Sequence, residues 1–326
     1  MAAVEIGLNL LPTGSARQTA DWARLAEDLG FDFVGITDGQ MIWRDVYVAL
    51  TLAAAATKRI KMGPWVTNPT TRHPTVTANA ICTLDEISEG RAFLGIGNGD
   101  DSVRTIGGDH SKLDTLADAV KLIYRLASGE KVQTDHGTWT LASARGRITI
   151  YWAASAGRSM QYGARYTDGV IASAWLTPEL LEKTKGLIHK GARDGGKDPS
   201  QVEAILHTSV AVDPTNRQRA IDAAKPYVAR GLCYASAVWL PDWSEQDLAD
   251  FRSKYNYYKH FSADHDLATL VPDHFVPRKA VVGTPEECLE TLARLSKSGF
   301  TKISLTPMGD VTQCLKLLGE KVLPKL

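Results

Sequence analysis

The sequence predicts an α/β fold, a single (β/α)₈ TIM barrel that uses the whole chain from residue 1 to residue 326. Eight short apolar segments begin near residues 4, 33, 60, 92, 148, 169, 203 and 303, and the first three intervals are 29, 27 and 32 residues. Such an interval accommodates one strand and the helix that returns the chain to a parallel neighbour. The segments are apolar on both faces, as strands between a barrel interior and a helical shell must be.

Each predicted strand is a short run of β-branched and other apolar residues. The predicted strands are Val4–Leu10, Phe33–Thr37, Ile60–Val66, Ala92–Gly97, Ile148–Ala153, Gly169–Ser173, Glu203–Val212 and Ile303–Thr306. The first helix lies between a capping Ser15 and a terminating Gly30. The other predicted helices are Val46–Ala56, Thr75–Ile87, Leu113–Ala127, Ser159–Tyr166, Pro178–Ala192, Pro285–Ser298 and Val311–Leu318.

Two stretches depart from this pattern and are predicted to be insertions after the fourth and seventh strands. The first is an irregular, hairpin-like stretch, Val132–Arg147. The second, about Pro226–Lys279, holds Pro, Trp, Tyr and His residues with little periodicity. We expect it to cover the barrel rather than to form a domain of its own.

The charge balance and the cysteines exclude several classes of protein. The chain has 37 Lys and Arg residues against 37 Asp and Glu residues, and binding to nucleic acid or to an anionic membrane needs a basic surplus. No apolar run approaches the roughly 20 residues of a membrane-spanning helix. The N-terminal residues lack the basic region of a signal peptide. The four cysteines form no CxxC pair, which indicates reduced thiols of a cytoplasmic protein.

Polar and aromatic residues follow the predicted strands at the end where (β/α)₈ enzymes bind their substrates. They are Asn9, Asp38, Thr67, Asn68, Asn98, Asp100, Ala154, Ser155, Ser173 and Trp175. The turn Ala154–Arg158 opens a helix with small residues, so backbone N–H groups can approach a phosphate there, with the charge of Arg158 nearby. Gly95–Asp100 lacks the last glycine of a dinucleotide-binding loop, and we do not interpret it as one.

The motifs of other chemistries are absent from the sequence. There is no GxSxG elbow, no GxxxxGK[ST] loop and no HExxH. His260 and the pair His265 and Asp266 lack the spacing of a recognised metal site, so no metal ligand is predicted. No side chain is a certain catalytic residue. These observations favour an enzyme whose cofactor performs the chemistry while the protein positions it.

Several motifs, in their order along the chain, resemble those of one enzyme family. They are Lys61–Pro69, Arg72–Pro74, Thr83–Ser88, Gly90–Arg91, Gly95–Asp100, Ala154–Arg158, Val281–Glu286 and Lys316–Glu320. The sequence resembles the luciferase-like family of flavin- and deazaflavin-dependent oxidoreductases nearly end to end, and most of all its methylenetetrahydromethanopterin reductases, which use coenzyme F420. Members of the family bind either FMN or coenzyme F420, so the resemblance implies one of these two cofactors.

The resemblance also implies roles for residues at the strand ends. Asp38, Thr67 and Asn98 would line the pocket of the cofactor ring. Trp65 and Val66 would form the non-proline cis peptide that backs the ring in relatives. The residues implied to hold the cofactor phosphate are Ala154, Ser155, Ala156, Gly157 and Arg158, with Ser173 close by.

The chain departs from the reductase pattern at two positions. It has Trp65 where the reductases have glycine, and Gly39 where they have histidine. A tryptophan beside the ring narrows the space for a bulky pterin, and the missing histidine removes a polar contact to the cofactor or the substrate. The resemblance therefore implies the family's cofactor site, whereas the two departures from it argue against a methanogenic substrate.

Three tryptophans are the predicted walls of the substrate site. Trp43, Trp65 and Trp175 each lie just past a strand. We expect them to converge above the cofactor ring and to stack on a planar substrate, with Asn9 beside them.

The surroundings of this site predict the character of the substrate. No Lys or Arg lies between Ala172 and Glu182, which favours a neutral or weakly charged molecule. The covering segment would close over it through Trp239, Trp243 and Tyr257 and exclude water.

These observations together predict an oxidoreductase that transfers a hydride between F420 or FMN and a small, neutral, planar or apolar organic substrate. One alternative is an FMN-dependent monooxygenase that uses O₂ and receives reduced flavin from a separate flavin reductase. Another is a non-catalytic flavin-binding partner subunit, like the accessory chains of this family. A homodimer or higher homo-oligomer is expected, with no nucleic-acid or membrane partner.

Overall fold

A computed structural model describes residues 4–236, 243–262 and 266–326 of the chain. The strands are β1 (Glu5–Leu10), β2 (Phe33–Ile36), β3 (Lys61–Pro64), β4 (Phe93–Ile96), β5 (Val132–Thr134), β6 (Gly137–Trp139), β7 (Thr149–Ala154), β8 (Gly169–Ala172), β9 (Glu203–Val212), β10 (Ala280–Gly283) and β11 (Lys302–Pro307). The α-helices are α1 (Ala16–Asp28), α2 (Val46–Ala56), α3 (Pro74–Ile87), α4 (Asp101–Arg104), α5 (Leu113–Ala127), α6 (Gly157–Tyr166), α7 (Pro178–Asp194), α8 (Arg217–Cys233), α9 (Glu245–Ser253), α10 (Val276–Lys279), α11 (Pro285–Ser296) and α12 (Val311–Leu317).

Eight parallel strands form the barrel, in the order β3-β2-β1-β11-β9-β8-β7-β4. Isolated bridges from Met62 to Ala92 and from Thr67 to Ile96 join the two ends of this order and nearly close the ring. Each barrel strand overlaps one of the predicted strands. The predicted (β/α)₈ fold is therefore confirmed.

The helices begin at residues that can satisfy their free N–H groups. The Ser15 hydroxyl accepts a hydrogen bond from the backbone of Gln18, as expected of the cap of α1. Asp45 caps α2, and Thr284 forms a capping box with Glu287 at the start of α11.

An aromatic layer fills the inside of the barrel. Phe33 and Trp65 stack with ring centroids 5.6 Å apart, and the rings of Phe93 and Tyr151 are 5.5 Å apart. Gly35 makes room for this layer, because a Cβ atom there would lie 2.5 Å from Cβ of Trp65. Trp65 also lines the cavity at the carboxyl ends of the strands, so the layer forms the floor of that cavity.

The second insertion differs from the prediction at both of its ends. Pro226 lies inside α8, so the predicted boundary cuts through a helix, and the irregular stretch begins after Cys233. Near the other end lies β10, a strand that the sequence analysis missed. It pairs in parallel with the second half of β9. The first insertion does contain the expected hairpin, formed by β5 and β6.

The described residues contain no group of three or more His, Cys, Asp or Glu side chains arranged to hold a metal ion. All four cysteines are buried thiols that form no disulfide. In the same part of the chain, no helix combines the length and the apolarity needed to cross a bilayer.

Candidate active site

A cavity of about 480 Å³ lies at the carboxyl ends of the barrel strands. Its walls come from Asn9 on β1, from the loops after β2, β3, β4, β7 and β8, from His207 on β9 and from the covering segment. The predicted site residues that line it are Asn9, Asp38, Trp65, Val66, Thr67, Asn98, Ala154, Ser155, Ala156, Arg158 and Ser173. The barrel thus brings residues from distant parts of the chain to one rim.

A second cavity of about 390 Å³ adjoins the first. The two share Ser155, Ala156, Ser173 and Lys279 as lining residues. Gly157, the remaining predicted phosphate residue, lines this second cavity at the start of α6. Together the cavities form a groove that leads from the barrel mouth to the N-terminus of α6.

The three tryptophans do not converge above one site as the sequence analysis expected. Trp65 lines the main cavity, whereas Trp175 lines the second one. Trp43 is not among the lining residues of either cavity. It packs behind the wall, with its ring 5.7 Å from that of His260 and 6.4 Å from that of Phe261. The strand-end rule gives only the rim of the barrel, and side-chain packing decides which part of the rim each ring faces.

The peptide between Trp65 and Val66 is cis, as the resemblance implied. The indole Nε1 of Trp65 donates a hydrogen bond to Nδ1 of His207, 3.3 Å away on β9. Trp65 is 4 % exposed and lies with its ring in the aromatic layer. The ring that was expected to narrow the substrate space is therefore held in the floor of the cavity.

Asp38 is the centre of a charge network at the end of β2. The Arg72 guanidinium donates to Oδ2 of Asp38 at 2.5 Å and to Oδ2 of Asp45 at 2.7 Å. Burial raises the pKa of Asp38, and the charge of Arg72 opposes that rise. Arg72 thus ties the loop after β3 to the loop after β2 and holds Asp38 at the rim.

The N-terminus of α6 has free donors that face the groove. Its N-cap residue is Ala156, which has no side-chain oxygen and makes no capping hydrogen bond. Ser155, Ala156 and Arg158 are exposed. A Cβ atom at Gly157 would lie 3.1 Å from Leu187, so a larger residue there would crowd α7. The backbone N–H groups of this turn therefore receive no hydrogen-bond acceptor from a capping side chain and can bind a ligand in the groove.

Sequence reasoning missed Lys279, a cation at the boundary of the two cavities. Its Nζ donates to Oγ of Ser173 and to the carbonyl of Ala174, each at 2.9 Å. Burial lowers its pKa to about 7. The loop after β8 has no Lys or Arg of its own, but this cation reaches it from the end of α10. The premise that no cation lies near that loop is therefore wrong.

Arg230 is a second missed cation. It extends from α8 and forms an ion pair with Asp100, one of the residues after β4. Its guanidinium also lies 3.7 Å from the ring centroid of Tyr234. Neither cation has a local signal in the sequence, because each meets its partner only through the fold.

The covering segment reaches the cavity through residues other than those expected. His260 and Phe261 line the main cavity. Trp243 instead packs on Phe251 and Phe275, with centroid distances of 5.4 and 6.0 Å. Tyr257 packs against the guanidinium of Arg104 at 5.2 Å. Trp239 lies outside the described residues.

Comparisons with known proteins agree with this architecture. A family model described as luciferase-like monooxygenase matches residues 1–302. The chain is 33 % identical to the 5,10-methylenetetrahydromethanopterin reductase of Archaeoglobus fulgidus, covering 99 % of this chain and 100 % of that protein. It is 28 % identical to the F420-dependent glucose-6-phosphate dehydrogenase of Beutenbergia cavernae, covering 93 % and 91 % of the two chains.

A solved structure gives the same result. The fold is similar to that of the coenzyme F420-dependent tetrahydromethanopterin reductase of Methanopyrus kandleri, with a TM-score of 0.81, 26 % identity and 99 % of each chain covered. The relatives are enzymes of the oxidoreductase class, and the prediction of an oxidoreductase is confirmed. The family that the motifs indicated is also the one that the comparisons give, and the chain belongs to the luciferase-like monooxygenase family.

Proposed function

We propose that this oxidoreductase binds F420 or FMN in the groove, with the ring at Trp65–Val66 and the phosphate at the N-terminus of α6, and uses it to oxidise or reduce a small organic molecule. The observation that carries this proposal is the continuity of the two cavities. One end of the groove is the mouth of the barrel, and the other is a helix N-terminus with exposed residues.

The residues present fit a cofactor of this kind. A phosphate is stabilised by the free N–H groups and the dipole of α6, and the exposed Arg158 adds a positive charge. Asp38 and Asn98 offer polar groups to a heteroaromatic ring in a largely apolar mouth. When bound, F420 or FMN supplies a ring that gives or accepts a hydride. The protein holds that ring against its floor and limits the access of water.

F420 is the preferred cofactor in this proposal. The curated relatives include a reductase similar over nearly the full chain and a dehydrogenase named as F420-dependent. FMN remains the alternative, because both cofactors share a tricyclic ring and a ribityl phosphate. The groove contacts that we assign concern these shared parts.

The proposed substrate is small and uncharged. Two of the cations near the cavity already have carboxylate partners, Arg72 with Asp38 and Arg230 with Asp100. The third, Lys279, is hydrogen-bonded to Ser173 and Ala174 and carries only part of a charge at neutral pH. Asn9 lines the floor beside the ring position, where its amide is held by Thr37 and Thr306. Apart from Arg158, which the proposal assigns to the cofactor phosphate, the described residues that line the main cavity offer a strongly anionic substrate no unpaired cation of full charge.

The decisive experiment is a titration of the purified protein with F420 and, separately, with FMN, followed by absorbance and fluorescence. We expect saturable binding of one of them. The loaded, reduced protein is then mixed under argon with small carbonyl compounds, cyclohexanone and cyclohexenone among them, and oxidation of the cofactor is recorded.

Each outcome assigns one function. Oxidation by a carbonyl compound without O₂ supports hydride transfer. Binding of FMN, with oxidation that needs both O₂ and the organic substrate, supports the monooxygenase alternative and its separate flavin reductase. Binding with no turnover in either case supports the non-catalytic subunit. No binding of either cofactor contradicts the proposal. Gel filtration of the same sample tests the expected homo-oligomer, and the cytoplasmic location stays a prediction.

A further inference from the structure

We propose that Asp101 is the residue that exchanges a proton with the substrate, and that Gly39 leaves the space in which its carboxyl group stands. This inference rests on the proposed function and adds to it the class of substrate. The molecule would carry a polarised double bond, C=X, whose reduction needs one hydride and one proton.

The first observation is the contact between Gly39 and Asp101. A Cβ atom at position 39 would lie 2.7 Å from Oδ2 of Asp101 and 2.7 Å from Cε3 of Trp43. Any side chain at position 39 would therefore displace the carboxyl group or the indole. The missing histidine noted in the sequence is thus coupled to the position of Asp101.

The second observation is the state of this carboxyl group. Asp101 lines the main cavity and is 9 % exposed. Its Oδ2 has no hydrogen-bond partner among the residues that the structure describes. A buried polar atom without a partner is costly unless a ligand or a proton satisfies it. Oδ2 is inaccessible and faces Gly39 and Trp43, so protonation of the carboxyl group lowers this cost, and a substrate in the cavity would meet the other oxygen, Oδ1.

The backbone around Asp101 is held in place from three sides. The Thr105 hydroxyl donates to the carbonyl of Asp101 at 2.6 Å. Gln40 donates to the carbonyl of Ser102 at 2.6 Å, and Asn68 donates to its hydroxyl at 3.0 Å. The loops after β2 and β3 therefore fix the start of α4. A proton donor must be positioned in this way to act on one atom of a bound molecule.

The other carboxyl groups of the cavity are engaged. Asp38 is ion-paired with Arg72, and Asp100 with Arg230. A carboxylate that is paired with a guanidinium holds its negative charge and is a poor proton donor. Of the three carboxyl groups that line the main cavity, Asp101 is the one with no ion pair within the described residues.

The charges around Asp101 set its proton affinity. Burial, the neighbouring Asp100 and, to a smaller extent, Asp38 raise its pKa to about 7 against the opposing charge of Arg230. Both protonation states are therefore populated near neutral pH. A group with such a pKa can give a proton in one direction of a reaction and take it in the other.

The proton transfer balances as follows. A hydride from the reduced cofactor adds to the carbon of C=X, and the electron pair of the double bond moves to X. The O–H bond of the Asp101 carboxyl group breaks at the oxygen on the cavity side, its proton bonds to X, and Asp101 is left as a carboxylate. In the oxidation direction the Asp101 carboxylate takes the proton from X–H while the hydride leaves the carbon for the oxidised cofactor.

The test begins with the protein free of cofactor. Infrared difference spectra taken along a pH titration follow the C=O stretch of protonated carboxyl groups. We expect a carboxyl group that titrates near 7 in the wild type and is missing in Asp101→Asn. The exposed Asp114 on α5 provides the matched control, since Asp114→Asn should keep the signal. A wild type without such a carboxyl group would overturn the proposal.

The second arm uses the loaded protein and the carbonyl compounds that it turns over. Asp101→Asn should lower kcat by about 100-fold or more, which is the usual contribution of a general acid. It should abolish the pH limb near 7 and leave the dissociation constant of the cofactor unchanged. Gly39→Ala should also lower kcat and shift the infrared titration, because the added methyl group displaces the carboxyl group.

The outcomes separate this inference from the proposed function. If the wild type binds a cofactor and reduces a carbonyl compound while Asp101→Asn keeps its rate and pH limb, only the role of Asp101 is wrong. If the wild type binds neither F420 nor FMN, or binds one and turns over nothing, the proposed function fails and this inference fails with it. An infrared titration and a rate that are both unaltered in Gly39→Ala would contradict the role of the glycine.

Discussion

Trp65 and His207 are joined across the barrel by a hydrogen bond from the indole Nε1 to the imidazole Nδ1, 3.3 Å long. An indole N–H can only donate, so Nδ1 must be unprotonated and the proton of the neutral ring lies on Nε2. The Ser304 hydroxyl lies 3.2 Å from the same Nδ1. Burial in the barrel and the charge of Lys279 lower the pKa of His207 to about 3, although part of the ring faces the cavity. The floor of the cavity therefore depends on a neutral histidine.

This neutral histidine predicts a pH dependence of stability. Between its unfolded pKa of 6.5 and its folded pKa of about 3, the unfolded chain binds a proton at residue 207 that the folded chain does not. His207 should therefore lower the free energy of unfolding as the pH decreases in this window, by up to about 1.4 kcal/mol per pH unit for one proton, while Asp101, with its pKa raised to about 7, acts in the opposite direction. Urea unfolding should therefore show that His207→Gln loses less stability with decreasing pH than the wild type does. His136→Gln, which replaces an exposed histidine, provides the control. An equal slope of the free energy of unfolding against pH in His207→Gln and the wild type would contradict the prediction.

A second prediction concerns the pair of Arg72 and Asp38. Arg72→Met leaves the buried Asp38 carboxylate without its partner, and we expect a loss of about 3 kcal/mol in the free energy of unfolding. Asp45→Asn removes only the half-exposed partner of Arg72 and should cost less than about 1 kcal/mol. Urea unfolding measures both. The double variant Asp38→Asn with Arg72→Met should recover part of the loss, and additive losses would show that the two side chains are not coupled.

The eight barrel strands could be predicted because each is a local apolar run that recurs at the length of one βα unit. α8 escaped the same reasoning because Pro226 interrupts its pattern, although the helix continues through this residue. β10 escaped it because it follows an irregular insertion rather than one βα interval, and it pairs with β9 outside the order of the eight barrel strands. Local periodicity therefore gives the elements that repeat and misses those that depend on packing.

The same limit applies to the site. Residues directly after a strand, such as Asp38 and Asn98, could be predicted from the strand-end rule alone. Arg230 could not, because it meets Asp100 across 130 positions of the sequence. The sequence also offers no means of deciding which of the adjacent Asp100 and Asp101 is ion-paired. That distinction needs the direction in which each side chain points.

A third prediction concerns the phosphate. Arg158→Ala should weaken the binding of F420 or FMN only about two- to fivefold, because one exposed charge near a helix N-terminus contributes about 0.5–1 kcal/mol while the backbone N–H groups remain. Fluorescence titration measures the dissociation constant. Arg165→Ala, at the exposed last turn of the same helix, should bind like the wild type. Equal affinities in the wild type and in Arg158→Ala would show that Arg158 does not contact the cofactor.

The last prediction concerns Trp175, which the sequence analysis placed at the substrate. Its ring lines the second cavity with Gly157, 5.8 Å from Nζ of Lys279 and in edge contact with Phe275 at 6.3 Å. We therefore expect it to contact the cofactor beyond the ring. Trp175→Ala should weaken cofactor binding by about tenfold, since an aromatic contact contributes about 0.5–1.5 kcal/mol beyond the area that it buries.

The Michaelis constant for the carbonyl compound should stay unchanged in Trp175→Ala, because the structure separates this ring from the main cavity. Trp139→Ala, in the hairpin strand β6 and away from both cavities, controls for the loss of a tryptophan. Trp175→Phe should retain most of the affinity, since it keeps an aromatic ring on Phe275. A higher Michaelis constant with intact cofactor affinity would return Trp175 to the substrate site and place the bound ring nearer to α6 than we propose.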